Sequence, residues 1–180
     1  LIITTPAPAA IELGESIVRA EMGDSSRLDI ELSHCSSLSA GDVDNDARLA
    51  IRGSGNARIG EVGGALQAAL SGSGALTARD IGETAELAVS GSGDVELGDV
   101  GSDMEIGISG SGHVRAGHVA SLDASVSGSG NVEIGNAPSG VHYAASGSGD
   151  LSVGATSDVH VRSSGSSNLT VASMDGVLNV

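Results

Sequence analysis

Asp94, His113, Asn131 and Asp150 recur at a near-constant interval, each directly after a Gly-Ser-Gly triplet. Carboxylates brought beside an imidazole are the residue types of a charged pair, or of a metal shell of oxygen and nitrogen ligands. Asp94, His113 and Asp150 are the candidate ligands of such a shell. Against it, Asn and Asp are favoured after a Gly-rich bend by backbone dihedrals alone, and groups on adjacent coils are too far apart for one compact shell without help. No metal or other cofactor is therefore expected. A second set, Glu86, Glu105, Asp123, His142 and His160, recurs at the same interval. It is read as a pH-sensitive patch or, more simply, as a solvated charged face.

Other chemistries fail on composition. Hydrolysis or elimination on polysaccharides calls for paired carboxylates in an aromatic-lined cleft, yet the chain has one Tyr, Tyr143, and neither Phe nor Trp. No enzymatic activity is expected. GSGD resembles the calcium-binding nonapeptide, but that motif recurs every nine residues, whereas here the Gly-rich unit comes once in each longer repeat and its Asp is often replaced. Gly-Ser-Gly is not a phosphate loop, because no helix follows and the chain contains no Lys. The single cysteine, Cys35, cannot form an intrachain disulfide and reads as a small semi-buried residue. A formal charge of −15 repels nucleic acid and anionic membrane surfaces. No apolar run approaches the ~20 residues of a membrane-spanning helix.

The elements that would position these residues follow from the repeat. The opening glycines fall at Gly53, Gly72, Gly91, Gly110, Gly128, Gly147 and Gly165, and a degenerate copy, SHCSSLSAGDV, keeps the register with His34 in the glycine place. Each glycine pair is followed by a short alternating segment, as in Val95/Leu97 or Val132/Ile134, and preceded by a longer one, as in Ala85/Leu87/Val89 or Met104/Ile106/Ile108. Period-2 alternation is the signature of a half-buried strand. Two such strands per repeat, about eighteen or nineteen residues in all, make one coil of a single-domain, all-β parallel β-helix, or solenoid, whose strands pair with their own copies one coil away. Right-handed coiling is the general default. At ~4.8 Å per coil, eight or nine coils give a rod about 40 Å long.

The chain is read as one domain, 1–180, with an N-terminal cap and first coil over 1–32 and regular coils over 33–180. Pro6, Pro8 and the polar run 23–27 mark the cap. Continued alternation through the bend would point Gly91 and Gly93 inward, where the walls converge. Ser90 and Ser92 would then join outward ladders, with Ser71, Ser109, Ser127 and Ser146 and with Ser54, Ser73, Ser111, Ser129, Ser148 and Ser166, whose hydroxyls can hydrogen-bond along the rod. A further outward column, Ala69, Ala88, Gly107, Ser125 and Ala144, is a flat strip of small residues. It is expected to pack against a second wall of the same coil or against another protomer. The sequence stops at GVLNV, still on strand pattern. Either the native chain continues, or this edge pairs end to end through Val177 and Val180.

The units VSGSGDVELG, ISGSGHVRAG, VSGSGNVEIG and ASGSGDLSVG resemble those of the bacterial auto-transporter adhesin head GIN domain family, over roughly residues 11–180. The resemblance implies a β-helix from exported or envelope-associated proteins and brings no catalytic residues with it. The expected function is a non-catalytic, adhesin-like binding module of the cell surface or envelope, exported to the periplasm or surface. Its partner would be an envelope or surface protein or glycan, with self-association possible and nucleic acid excluded. The alternative is a structural element that self-assembles through its ends or its flat small-residue face. Ice binding would need regular outward Thr arrays, which Thr77 and Thr170 do not make.

Overall fold

The computed structural model describes the backbone of residues 9–13 and the whole of residues 19–180; Pro6 and Pro8 lie outside them. All the described strands are parallel and form two sheets. Ten strands, from Ala9–Leu13 through Ala85–Gly91 to Leu178–Asn179, make one wall. Nine, from Arg19–Glu21 through Asp94–Glu96 to Leu169–Met174, make the second. The chain passes from wall to wall once per coil, giving a single-domain β-solenoid of about 8 turns. Register follows the repeat: Ala85 through Gly91 pair one to one with Met104 through Gly110.

There are three walls rather than two. The segment between the two strands of a repeat, such as GDVGSD, also turns a side chain inward, an aliphatic one in the middle coils. Val43, Val62, Ile81 and Val100 succeed one another through parallel bridges, and these and Val119 are at most 4% exposed. In the polar run 23–27, Ser25 takes the same place and bridges to Val43. One apolar residue between polar neighbours is too short an alternation to read as a strand. Stacking supplies what local pattern lacks.

This third wall has a short backbone ladder, in which Val43 N donates to Glu61 O (2.7 Å) and Gly63 N to Val43 O (2.8 Å), and side chains extend it. Asp42 accepts a hydrogen bond from the Glu61 amide (2.8 Å), Asp80 from Asp99 (2.9 Å), Asp99 from His118 (2.7 Å) and Asn136 from Ala155 (2.7 Å). Each carboxylate or amide oxygen thus satisfies a donor in the next coil that the narrow wall would leave unpaired.

The Gly-Ser-Gly bend also differs from simple alternation. Gly93 is buried, but Gly91 is only half-buried and adopts φ +117°, as its counterparts do at +97° to +150°. The alternation breaks at Gly91 because the corner needs a left-handed residue. His34, in the glycine place of the degenerate copy, is the only non-glycine described with positive φ, at 61°. Gly93 serves the other purpose. A Cβ there would stand 2.8 Å from the Gly74 carbonyl oxygen, where successive corners stack closely.

Tyr143 is the one aromatic side chain of the core. This ring stacks in column with Ala124, whose small side chain leaves it room, and is 2% exposed. Its hydroxyl donates to the Gly149 carbonyl (2.9 Å). Burial first, and the Asp150 charge second, push its pKa above the ordinary 10.0. A raised phenol pKa favours the neutral folded form, so this stabilisation is present below about pH 10 and is lost as pH rises through the folded-state value. With no Trp and no second Tyr, ultraviolet absorbance reports on Tyr143 alone. The phenolate band of the folded chain is expected to appear at higher pH than that of the chain in urea; coincident midpoints would contradict the buried placement.

Candidate functional site

Outward-facing columns on the two sheets are the surfaces available for recognition. On the nine-stranded wall the register places Ala75, Asp94, His113 and Asn131 in one line, as the spacing requires. The members do not form a ligand shell. No hydrogen bond or ion pair joins Asp94 to His113, and among the described residues no three His, Cys, Asp or Glu converge as metal ligands. Other Asx members of the column act on backbone instead. Asn56 accepts from the Ala75 amide (3.1 Å), Asn131 from Asp150 (3.1 Å) and Asp150 from Asn168 (2.9 Å).

A neighbouring column, two residues on, was not singled out by sequence: Thr77, Glu96, Arg115 and Glu133. Arg115 Nε and Nη2 both donate to Glu133 Oε2 at 2.8 Å. That hydrogen bond, then the charges of Glu133 and Glu96, hold the guanidinium above its ordinary pKa. Both columns border a shallow cavity of about 570 Å³ over Ala75 and Thr77, flanked by Asp94, Glu96, His113 and Arg115. The signal was present in the sequence as outward polar positions, but opposite charges one coil apart acquire meaning only once coils are paired.

The ten-stranded wall carries three outward columns. The serine column is in register from Ser71 through Ser90, Ser109, Ser127 and Ser146 to Ser164. Contrary to expectation, no hydroxyl-to-hydroxyl bond runs along it, or along Ser54, Ser73, Ser92, Ser111, Ser129, Ser148 and Ser166. At that corner the backbone makes the ladder, with Ser92 N donating to Gly72 O and Ser111 N to Gly91 O, both at 2.8 Å. Outward serine hydroxyls face water, which competes for them.

Ala69, Ala88, Gly107, Ser125 and Ala144 form the middle column and are all exposed. No second wall of the coil covers them, so that expectation is corrected: the third wall closes the opposite corner instead. They floor a trough bordered on one side by the serines and on the other by Asp29, Arg48, Gln67, Glu86, Glu105, Asp123, His142 and His160. Arg48 donates to Gln67 (2.8 Å) and Gln67 to Glu86 (3.2 Å). The trough deepens near Ala50, Ala69 and Ala88 and again near Ser125, Ala144 and Arg162. Cys35 is exposed rather than semi-buried, since its bend turns it outward where regular coils carry serine.

Over residues 169–180 no further coil covers the core positions. Met174, Val177, Leu178 and Val180 are 37%, 66%, 50% and 86% exposed, and Leu178–Asn179 is the edge strand of its sheet. No described helix is long and apolar enough to cross a membrane.

A family profile described as "Putative auto-transporter adhesin, head GIN domain" matches residues 1–138 and, overlapping, residues 82–173. Two overlapping matches are what a short internal period produces, since the profile can be laid on the coils in more than one place. Searches of curated proteins and of solved structures returned no match. The matches together span almost the whole solenoid, and the chain belongs to the auto-transporter adhesin head GIN domain family.

Proposed function

We propose that the chain is a non-catalytic, adhesin-like binding module displayed on the bacterial cell surface or envelope. Its binding surface is the outer face of the ten-stranded wall. The observation that carries this reading is the exposed trough of Ala69, Ala88, Gly107, Ser125 and Ala144 between a hydroxyl column and a carboxylate column. An extended polymer can lie along such a floor without displacing side chains, and ordering costs little because, Ser125 apart, the floor has no rotamers to lose. The family takes its name from adhesins and not from an enzymatic activity. With a net charge of −15, a neutral or cationic partner is favoured, whether surface protein or glycan.

The test uses fluorescently labelled chain on intact bacterial cells and on a printed glycan panel. Saturable binding that is lost in Ala88→Arg/Ser125→Arg, with an unchanged melting curve, supports the trough. Absence of binding at concentrations up to roughly 100 µM, or binding indifferent to both substitutions, overturns it. A second reading, self-assembly through the solenoid end, draws on the exposed Met174, Val177, Leu178 and Val180. A further coil stacks naturally on that surface, from continuing chain or from a second copy. Light scattering over a hundredfold concentration range tests it: growth in mass that Leu178→Asp suppresses supports assembly, and constant mass removes it.

A further inference from the structure

His142 and His160 are the one place among the described residues where two imidazoles are register neighbours on adjacent strands, Val141–Gly147 and Val159–Gly165. Both are exposed, and their rings stack with centroids 4.9 Å apart at an interplanar angle of 20°. Asp123 precedes them in the column and Asn179 follows. These four side chains and Arg162 border a cavity of about 450 Å³. Ala144, two residues beyond His142 on the same face of the strand, leaves that flank open. The other described histidines differ: His118 meets the Asn136 side-chain amide through Nδ1 (2.9 Å), His113 lies between Asp94 and Asn131, and His34 sits at the corner with φ 61°. Among the described residues, no hydrogen bond or ion pair occupies the ring nitrogens of His142 or His160.

We propose that His142 and His160 form a two-histidine site for a borderline divalent cation of the copper(II), nickel(II) or zinc(II) class, with water completing the shell. With metal–nitrogen bonds of ~2.0–2.1 Å, two imidazoles sharing one ion have ring centroids roughly 4.5–5.3 Å apart. The observed separation already lies in that range. Stacked rings do not aim their nitrogens at a common point, so binding requires both to turn about their side-chain torsions. Both are exposed and free to do so. The Asp123 carboxylate, beside His142 in register, adds negative charge at the site. The acidic surface, including Glu105 one coil beyond Asp123, raises the local cation concentration, opposed by Arg162 at the other side of the cavity. Imidazole suits these ions, and copper(II) is bound tightest of the series.

The test is calorimetric titration of the intact chain with nickel(II) and copper(II) chloride in a non-chelating buffer. The expected result is saturable binding with a dissociation constant of roughly 10 µM. His142→Ala and His160→Ala should each weaken it roughly tenfold or more, Asp123→Asn less, and His113→Ala not at all. Affinity should fall on acidification, because both imidazoles must be neutral to bind. The charged side chains around the pair are Asp123, Glu105 and Arg162. Copper(II) electron paramagnetic resonance supplies a readout independent of the variants, with two equatorial nitrogens expected. No saturable binding below roughly 1 mM, binding insensitive to both histidine variants, or a spectrum with fewer than two nitrogens overturns the proposal.

Discussion

Val95→Asp is expected to abolish the single cooperative unfolding transition. Val95 is 2% exposed and stands between Leu76 and Val114 in the column that lines the nine-stranded wall. A carboxylate there enters a narrow aliphatic interior with no donor to receive it. Burying an unpaired charge costs several kcal/mol even after relaxation, or forces protonation at a similar cost. Whole domains are stable by only ~5–15 kcal/mol. Solenoid topology adds to the damage, because each coil is held by its two neighbours and a disrupted middle coil separates the rod into halves. Far-UV circular dichroism through a urea titration reads the outcome. The control, Ser152→Asp, places the same charge on an exposed outward position of the same wall and should change stability by less than about 1 kcal/mol. A Val95→Asp variant that melts within a few degrees of the parent would contradict the inward assignment.

Gly110→Ala against Gly107→Ala is the second large contrast, between two glycines on one strand. Gly110 has φ +133°, and a Cβ on it would collide with the Gly91 carbonyl oxygen of the preceding coil. That oxygen accepts the Ser111 amide at 2.8 Å, so it cannot withdraw without breaking the ladder at the corner. Strain in the left-handed region and the collision act together. A loss of about 3 kcal/mol or more is expected. A Cβ on Gly107 instead points into open space, with the Leu87 carbonyl oxygen 3.9 Å away as its nearest contact. Gly107→Ala should be neutral or stabilise by up to about 1 kcal/mol, because alanine restricts the unfolded chain. Equal effects of the two substitutions in chemical denaturation would remove the corner as the reason for the repeated glycine.

Much of the fold was legible because a short, nearly constant period aligns chemically alike positions without knowledge of the backbone. Leu87 and Ile106, or Val95 and Val114, are interchangeable members of one column, and the register pairs them as the spacing requires. The corner was read only in part. Gly93 faces inward as alternation demands, whereas Gly91 departs from it because a left-handed dihedral resets the strand phase. The candidate surface was legible as columns but not as contacts. Asp94 and His113 are neighbours in register and make no bond with one another, while Arg115 and Glu133, in an unremarked column, form a close ion pair.

The sequence by itself determined the parallel solenoid, its inward columns and the membership of each outward ladder, because periodicity is a property of one dimension. Only the tertiary structure decided that the coil has a third wall, that Asx side chains rather than the two serine ladders link successive coils, and that the small-residue strip is left uncovered. Each of these depends on which donor meets which acceptor across a full repeat of chain. The closing angle of the coil fixes that geometry, and no run of residues along the chain expresses it.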